Sequence, residues 1–226
     1  MKKHIILPFL VAMFACTATV KANPGFISAE PDSEKAAALA EQASWTILLN
    51  FFNTDSLNYA VTLCNKAIDL SPGCAEAYSS RGFARYFMND YQTAEKDFDV
   101  AVQKRGSAQD FEDRGECKFH LSDNDGALAD YQSAAAKGQS LTASGADLLM
   151  ADANDLGIAF YNAGQYTKAV QAFTISINSE ITGTNLFNRA NAEYMNGDSA
   201  SACTDWHTSW KMGSKQGKKA YKKMCR

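Results

Sequence analysis

Small and apolar residues recur along most of the chain at the spacing of short amphipathic helices that occur in pairs. The segment 77–101 shows this most clearly, because it predicts two helices joined by a turn at 88–90. Gly82 lies in the first predicted helix, and Ala94 and Phe98 lie in the second. Small residues that face each other would let the helices approach closely, with Phe98 filling the space beside the contact. One helix pair cannot bury its own apolar face, so the pattern requires stacked copies.

The same pattern returns further along the chain. In each copy a small residue of the first helix precedes an alanine of the second by the same distance, and an aromatic residue follows one turn later. The small residue, alanine and aromatic residue of the four copies are Gly82, Ala94 and Phe98; Gly115, Ala127 and Tyr131; Gly157, Ala169 and Phe173; and Ala190, Ala202 and Trp206. A degraded first copy at 44–72 keeps Ala60 but has Leu48 in the small-residue position and Cys64 in the aromatic position. The recurrence predicts a stack of helix pairs.

Charged residues follow the same register. In three copies an arginine precedes the small residue and an aspartate precedes the aromatic residue, whereas in the other two copies both positions are uncharged. The charged pairs are Arg81 with Asp97, Arg114 with Asp130 and Arg189 with Asp205, and the uncharged pairs are Leu156 with Ala172 and Ile47 with Leu63. Losing one partner of a partly buried ion pair strands a charge, so joint replacement indicates contact. We therefore predict structural ion pairs between the two helices of each charged copy, where the planar guanidinium suits a carboxylate.

This combination of period and residues resembles the tetratricopeptide repeat (TPR) family, in an exported bacterial form, over roughly 42–213. The resemblance implies an all-α fold, a right-handed α-solenoid of about five helix-turn-helix repeats with a C-terminal capping helix. The implied repeat domain covers 35–213, between a leader at 23–34 and a basic capping helix at 214–226. Its repeats lie near 41–73, 75–106, 108–138, 150–179 and 183–213.

The domain is predicted to begin with a helix over 35–53, for which Asp32 or Ser33 is a suitable N-cap. The apolar side of this helix is predicted to consist of Ala38, Trp45, Leu48, Leu49 and Phe52.

The period is broken once. Gly115 and Gly157 are 42 residues apart (157 − 115), which is 9 more than the 33 residues between Gly82 and Gly115. The additional sequence at 137–147 is small, polar and glycine-containing, so it predicts a loop and an extended first helix that begins near Ser144. Insertions of this kind either map to a binding face or are tolerated at the surface.

The first 22 residues have the pattern of a secretory signal peptide. Lys2 and Lys3 precede an apolar run at 5–20, and small residues surround a predicted cleavage site after Ala22. The run is shorter than the roughly 20 apolar residues that a membrane-spanning helix needs. We expect an exported protein, periplasmic or secreted. The alternative is a membrane-anchored lipoprotein acylated at Cys16, which is disfavoured because Phe14 occupies a position where such signals prefer small residues.

Charge is distributed unevenly along the chain. The formal net charge is −3, and removal of three lysines with the signal makes it −6. The segment 206–226 contains seven bases and no acid, so the preceding body carries about −13. The terminal helix has an apolar side of Ala220, Tyr221 and Met224, which predicts that it covers the last repeat. A nucleic-acid partner is disfavoured, since the acidic body would repel phosphate.

Five cysteines remain after the signal, and they suggest one disulfide. Cys203 lies on the last second helix and Cys225 on the helix predicted to pack against it, so we predict a disulfide between them. Cys64 and Cys74 are predicted to be too far apart to bridge, and Cys117 is predicted to be a small buried residue. No metal-binding spacing, phosphate-binding loop or nucleophile–base pair occurs in the sequence. We expect no catalytic residue, no metal and no cofactor, and therefore no enzyme.

The resemblance also implies a binding site. In TPR solenoids the first helices line a concave groove that receives a peptide or a helix of a partner protein. Carried over copy by copy, the groove positions are Ser79, Phe83 and Tyr86; Glu112, Glu116 and Phe119; Asn154, Ile158 and Tyr161; and Phe187, Asn191 and Tyr194. The third position is aromatic in every set, and Phe52 is predicted to continue the row. We expect the ring bodies to pack within the repeats and their edges and hydroxyl groups to face the groove.

The predicted groove is acidic. TPR domains that clamp a carboxylate terminus use basic and asparagine side chains at these positions, whereas this chain has Glu112 and Glu116 there, with Asp113 and Asp155 beside them. The expected ligand is a neutral-to-basic, partly apolar segment of another exported protein. The predicted function is a non-enzymatic protein–protein interaction module of the cell envelope. The alternative is a structural subunit of an envelope or surface assembly that docks through its edges and its cap.

Overall fold

The computed structural model describes residues 31–137 and 143–225, with side chains described for 31–137 and 153–225. The predicted signal peptide, Cys16, the leader as far as residue 30, and part of the insertion lie outside these ranges. Eleven α-helices and no strand occur within them, which confirms the all-α class. The helices are α1 (Pro31–Asn50), α2 (Thr54–Leu70), α3 (Ala75–Phe87), α4 (Tyr91–Lys104), α5 (Ala108–His120), α6 (Asn124–Lys137), α7 (Ala143–Asn162), α8 (Tyr166–Ser179), α9 (Gly183–Met195), α10 (Ser199–Lys211) and α11 (Lys215–Met224).

The first ten helices form five pairs, and α11 packs against α10. Each helix contacts the next one along the chain, so each pair packs on its neighbour and the pairs form an α-solenoid, as predicted. The turn inside each of the last four pairs contains one residue in the left-handed region, at equivalent positions: Asn89 (φ 62°), Ser122 (φ 66°), Gly164 (φ 74°) and Gly197 (φ 92°). A left-handed residue ends the first helix and redirects the chain into the second.

The glycines of the first helices lie against aromatic rings of the second helices. A Cβ atom on Gly82 would lie 2.9 Å from Cε1 of Phe98, and a Cβ atom on Gly115 would lie 2.7 Å from Cε1 of Tyr131. In both repeats the ring atoms are the nearest to the added Cβ, so the aromatic residue fills the space directly against the glycine. A ring is too large to fit beside a Cβ at this helix separation, so glycine leaves the space that the ring occupies.

Helix α1 differs from its prediction. It begins at Pro31, so Asp32 and Ser33 lie in its first turn instead of capping it, and it ends at Asn50. Its buried residues are Ala36, Ala40, Ala43 and Ile47. The predicted apolar side is largely on the surface: Ala38 is exposed, Leu49 is 73% exposed, Trp45 and Leu48 are half-buried, and Phe52 lies in the following turn at 69% exposure. Close helix packing selects small side chains, so the alanine stripe and not the large apolar residues faces the core.

Two helices depart from the repeating pattern of the stack, α7 by its length and α11 as the cap on the last repeat. Helix α7 begins at Ala143, one residue before the predicted start, and its 20 residues exceed the 13 of α5. Helix α11 packs Ala220 and Tyr221 against the cluster that contains Trp206, whereas Met224 is 37% exposed and adds little to the predicted apolar side. A disulfide joins Cys225 to Cys203 of α10, with a Cα–Cα distance of 5.7 Å.

Candidate functional site

Ion pairs hold the two helices of three repeats together. A nitrogen of the arginine lies 2.7 Å from a carboxylate oxygen in Arg81–Asp97, 2.6 Å in Arg114–Asp130 and 2.7 Å in Arg189–Asp205. In each pair Nε and a terminal nitrogen of the guanidinium both donate to the carboxylate. The three aspartates are buried, so these pairs fix the geometry of the helices that carry the candidate residues.

A second base that sequence reasoning missed supports two of these aspartates. Arg85 Nη1 lies 2.6 Å from Asp97 Oδ2, and Lys118 Nζ lies 2.8 Å from Asp130 Oδ2. Each base follows the first arginine by one helical turn, which is a readable signal in the sequence. In the last repeat this position holds Glu193, whose Oε1 lies 3.6 Å from Nε of Arg189. Burial, together with the charge of Asp205, raises the pKa of Glu193 to about 7.

The candidate positions of α3, α5, α7 and α9 are hereafter called the first-helix surface. Ser79 has a structural role there: it is buried, its Oγ lies 3.2 Å from Oδ1 of Asp110, and it accepts a hydrogen bond of 3.0 Å from Nη2 of Arg105. Arg105 also donates from Nε to Asp110 Oδ2 at 2.9 Å. This network joins α3, α5 and the end of α4, and it leaves Ser79 little surface for a ligand.

The acidic residues of α5 are more buried than the sequence suggested. Glu112 is 3% exposed and Asp113 is 4% exposed. Burial raises the pKa of Glu112 to about 8, with a further contribution from the charge of Glu116. Burial also raises the pKa of Asp113 well above its usual value, although Gln109 donates a hydrogen bond of 2.9 Å to Oδ1. These carboxyl groups therefore hold protons more tightly than free ones.

Glu116 belongs to a cluster that links α3, α4 and α5. The Tyr86 hydroxyl group donates to Oε1 of Glu116 and lies 3.0 Å from Nε2 of His120. The ring of Tyr91 stacks on His120 at 4.3 Å. Burial raises the pKa of Glu116, which the hydrogen bond from Tyr86 partly opposes. Neither His120 nor Tyr91 was predicted as a site residue, because nothing in their spacing distinguishes them.

The remaining aromatic residues of the first-helix surface contact their own repeats and their neighbours. The ring centroids of Phe83 and Phe98 lie 5.2 Å apart in an edge contact. The ring centroids of Phe119 and His120 are 6.3 Å apart, and those of Tyr161 and Tyr166 are 5.4 Å apart. Phe52 lies in the turn after α1, so it does not continue the row on a helix face.

The surface becomes more accessible in the last two repeats. Ile158 is 39% exposed and Tyr194 is 36% exposed. Asn191 accepts a hydrogen bond of 3.1 Å from Nε1 of Trp206, and Asn154 accepts one of 3.0 Å from Asn188. Phe187 is half-buried beside Trp206. The first-helix surface thus combines a buried acidic part on α5 with an exposed apolar part on α7 and α9.

Across 31–137 and 143–225, no helix is long and apolar enough to cross a membrane. Within the same part of the chain, no group of three or more histidine, cysteine, aspartate or glutamate residues is placed to hold a metal ion.

The chain is similar to solved TPR structures, whereas no family model and no curated protein matches it. YrrB, described as a TPR protein with an unusual peptide-binding site, is 18% identical, with a TM-score of 0.60 over 84% of this chain and 93% of YrrB. The MamA protein is 14% identical, with a TM-score of 0.58 over 84% of this chain and 94% of MamA. PilF of Pseudomonas aeruginosa is 13% identical, with a TM-score of 0.54 over 82% and 80%. At these identities the likeness establishes the fold, and the chain has the helical-repeat fold of TPR proteins.

Proposed function

We propose that the chain is a non-enzymatic protein–protein interaction module of the cell envelope that binds a partner segment along the first-helix surface. The observation that carries this proposal is the exposure of a large apolar side chain on each of the last two first helices of a TPR fold, Ile158 on α7 and Tyr194 on α9. Large apolar side chains on a repeating surface supply the rigid contact area that partner segments bury. YrrB, which has the same fold, is described as having a peptide-binding site, and this supports the assignment.

The packing of the first-helix surface also supports a role in binding. The hydroxyl group of Tyr86 is held between Glu116 and His120, and Asn191 is held by Trp206. A ligand that meets such side chains does not have to order them, so less entropy is lost on binding.

An exported location is part of the same proposal. Its basis is the signal-like sequence at 1–22, and the disulfide between Cys203 and Cys225 supports it, because disulfides persist in oxidising compartments. The mass of the mature N-terminus distinguishes cleavage after Ala22 from acylation at Cys16. A chain that retains residues 1–22 without a lipid would contradict an exported location.

Affinity capture tests the binding surface. The tagged protein is incubated with a native envelope extract, beside the variants Ile158→Glu and Tyr194→Ala and the control Tyr59→Ala. Tyr59 is 50% exposed on α2, a second helix, so it matches Tyr194 in type and exposure. We expect one set of bound proteins that Ile158→Glu and Tyr194→Ala lose and Tyr59→Ala retains. Equal capture by all variants would contradict the assignment.

A structural subunit that docks through its edges and cap is the second candidate. It is favoured by the exposed lysines of α11 and by Leu49, which is 73% exposed at the other end of the stack. The test replaces Lys215, Lys218, Lys219, Lys222 and Lys223 with glutamine, which keeps the disulfide that a truncation would break. Loss of capture in this variant, together with normal capture by Ile158→Glu, would favour the second candidate.

A further inference from the structure

Two buried carboxyl groups on α5, those of Glu112 and Asp113, form no ion pair among the described residues, and the one side-chain hydrogen bond that either of them accepts there comes from Gln109 to Oδ1 of Asp113. Neither Oε1 nor Oε2 of Glu112 has a hydrogen-bond partner among the described residues, and the same holds for Oδ2 of Asp113. Both side chains are more than nine-tenths buried. By contrast, Asp97, Asp110 and Asp130 each contact at least one base at 2.7 Å or less. Burying a carboxyl group without a partner is costly, which makes this exception informative.

Among the described residues, the bases closest to these two groups in the sequence are engaged with other partners. Arg105 is engaged with Asp110, and both Arg114 and Lys118 are engaged with Asp130. Lys137, at the end of α6, lies over the ring of Phe111. The next 30 residues, 138–167, contain no lysine, arginine or histidine. A cation that pairs with Glu112 and Asp113 while these contacts stay intact would come from another molecule or from a distant part of the chain.

We propose that Glu112 and Asp113 bind the cationic side chain of a lysine or arginine that belongs to a partner segment. This inference rests on the proposed function, because Glu112 belongs to the first-helix surface. A lysine ammonium or an arginine guanidinium carries enough donors to satisfy three unpartnered oxygens, and its aliphatic stem can pack along apolar residues. Glu116, one helical turn after Glu112, adds a third acidic residue to the same helix.

The burial of Glu112 and Asp113 affects their protonation and therefore how the site would bind a cation. An unpaired carboxyl group in this environment holds its proton, as the raised pKa of Glu112 reflects. An incoming cation favours the ionised form, so binding should displace protons into solution. The site would then prefer a cationic ligand over an isosteric neutral one by both attraction and satisfied hydrogen bonds.

A pair of defined peptides tests the inference. The probe is a short fluorescent peptide of alternating lysine and leucine, compared with the same peptide in which glutamine replaces lysine, and anisotropy measures binding at low salt. We expect the lysine peptide to bind the wild-type protein about tenfold or more tightly than the glutamine peptide. The double variant Glu112→Gln, Asp113→Asn should lose most of that preference while retaining the helical circular-dichroism spectrum.

The control variant is Asp55→Asn, Asp69→Asn, which removes the same formal charge from exposed positions of α2. It should retain the preference for lysine, since it removes two acidic side chains from the surface and leaves α5 unchanged. If the two double variants behave alike, or if the two peptides bind the wild type equally, the inference is wrong. If both peptides bind the wild-type protein with equal affinity and the variant Ile158→Glu binds neither, the inference is overturned and the proposed function stands.

A spectroscopic measurement separates this site from non-specific attraction. Carbon-detected NMR of the labelled carboxyl groups reports the pKa of Glu112 with and without saturating lysine peptide. We expect the pKa of Glu112 to fall from about 8 towards its usual value with the lysine peptide and to stay unchanged with the glutamine peptide. An unchanged pKa in the presence of bound lysine peptide would overturn the inference.

Discussion

Gly157 of α7 lies so close to the ring of Phe173 that a Cβ atom would be 2.6 Å from both Cδ1 and Cε1. Phe173 is 1% exposed, so its ring cannot swing away into solvent. The same relationship joins Gly115 to Tyr131 and Gly82 to Phe98. In these three repeats the glycine of the first helix leaves space for an aromatic ring of the second helix, and the two helices can therefore pack closely.

Replacing Gly157 with alanine should destabilise the protein. Alanine favours the helix by up to about 1 kcal/mol over glycine, but the overpacking against Phe173 should cost about 1–3 kcal/mol. We expect a net loss in the free energy of unfolding, measured by urea denaturation. Gly73→Ala is the control, because no atom lies within 4 Å of a Cβ placed there. Equal stabilities of the two variants would contradict the contact.

Asp130 should be among the most sensitive charged residues. It accepts bonds from Arg114 at 2.6 Å and Lys118 at 2.8 Å, so Asp130→Ala strands two bases whose side chains are only 17% exposed. We expect a loss of about 2–4 kcal/mol in the free energy of unfolding. Asp125→Ala removes an exposed pair with Lys168 and should cost less than about 1 kcal/mol. A similar small loss in both variants would show that the buried pair adds little.

Glu193 should make stability depend on pH. The pKa of Glu193 is raised to about 7 and that of Glu112 to about 8, so the folded state binds protons that the unfolded state has released above about pH 5. The free energy of unfolding should therefore fall as pH rises from about 5 to about 8, since the folded state must give up those protons. Glu193→Gln should remove the contribution of Glu193, so the fall becomes shallower between about pH 5 and about pH 7, whereas the contribution of Glu112 remains.

The variant Glu193→Lys extends the same test. It places a base where Arg85 and Lys118 lie in the other charged repeats, next to Asp205. We expect a gain of about 1–3 kcal/mol at pH 8 relative to the wild type, measured by urea denaturation. Stability that is the same in Glu193→Lys and Glu193→Gln would contradict a role for the second base.

Reduction of the disulfide should loosen the cap. Cys203 and Cys225 are separated by 22 residues, and a cross-link closing such a loop stabilises the folded state by about 3 kcal/mol in the chain-entropy model. Hydrogen exchange in α11 should accelerate when the protein is reduced, while exchange in α3 and α5 stays slow. Cys225→Ser should reproduce the effect without reductant. Unchanged exchange in α11 would mean that packing of Tyr221 alone holds the helix.

The repeat pattern predicted the helix pairs well, because it depends on residues with strong steric or electrostatic requirements. The glycine and aromatic positions and the arginine–aspartate spacing each recur, and each corresponds to a contact in the structure. The supporting bases Arg85 and Lys118 lie one turn after the arginines, so their spacing is also a signal that the sequence carries. Such periodic features can be read from a sequence because every copy repeats the same local geometry.

Other features could not be read in this way. Helix α1 has two apolar stripes, and the sequence favoured the one with the larger side chains, whereas close packing buries the alanines. The burial of Glu112 and the cluster of Tyr86 with His120 depend on contacts between repeats. Contacts of this kind are set by how the repeats stack, which no single copy encodes.

Site-specific photo-cross-linking tests the central claim most directly, namely that the first-helix surface holds a partner protein. A benzoylphenylalanine residue replaces Ile158, Tyr194 or the matched control Tyr59 in cells that make the partner, and the adducts are identified by mass spectrometry. We predict that Ile158 and Tyr194 cross-link to the same segment of one protein and that Tyr59 does not. Adducts at Tyr59 with none at Ile158 and Tyr194 would contradict the account.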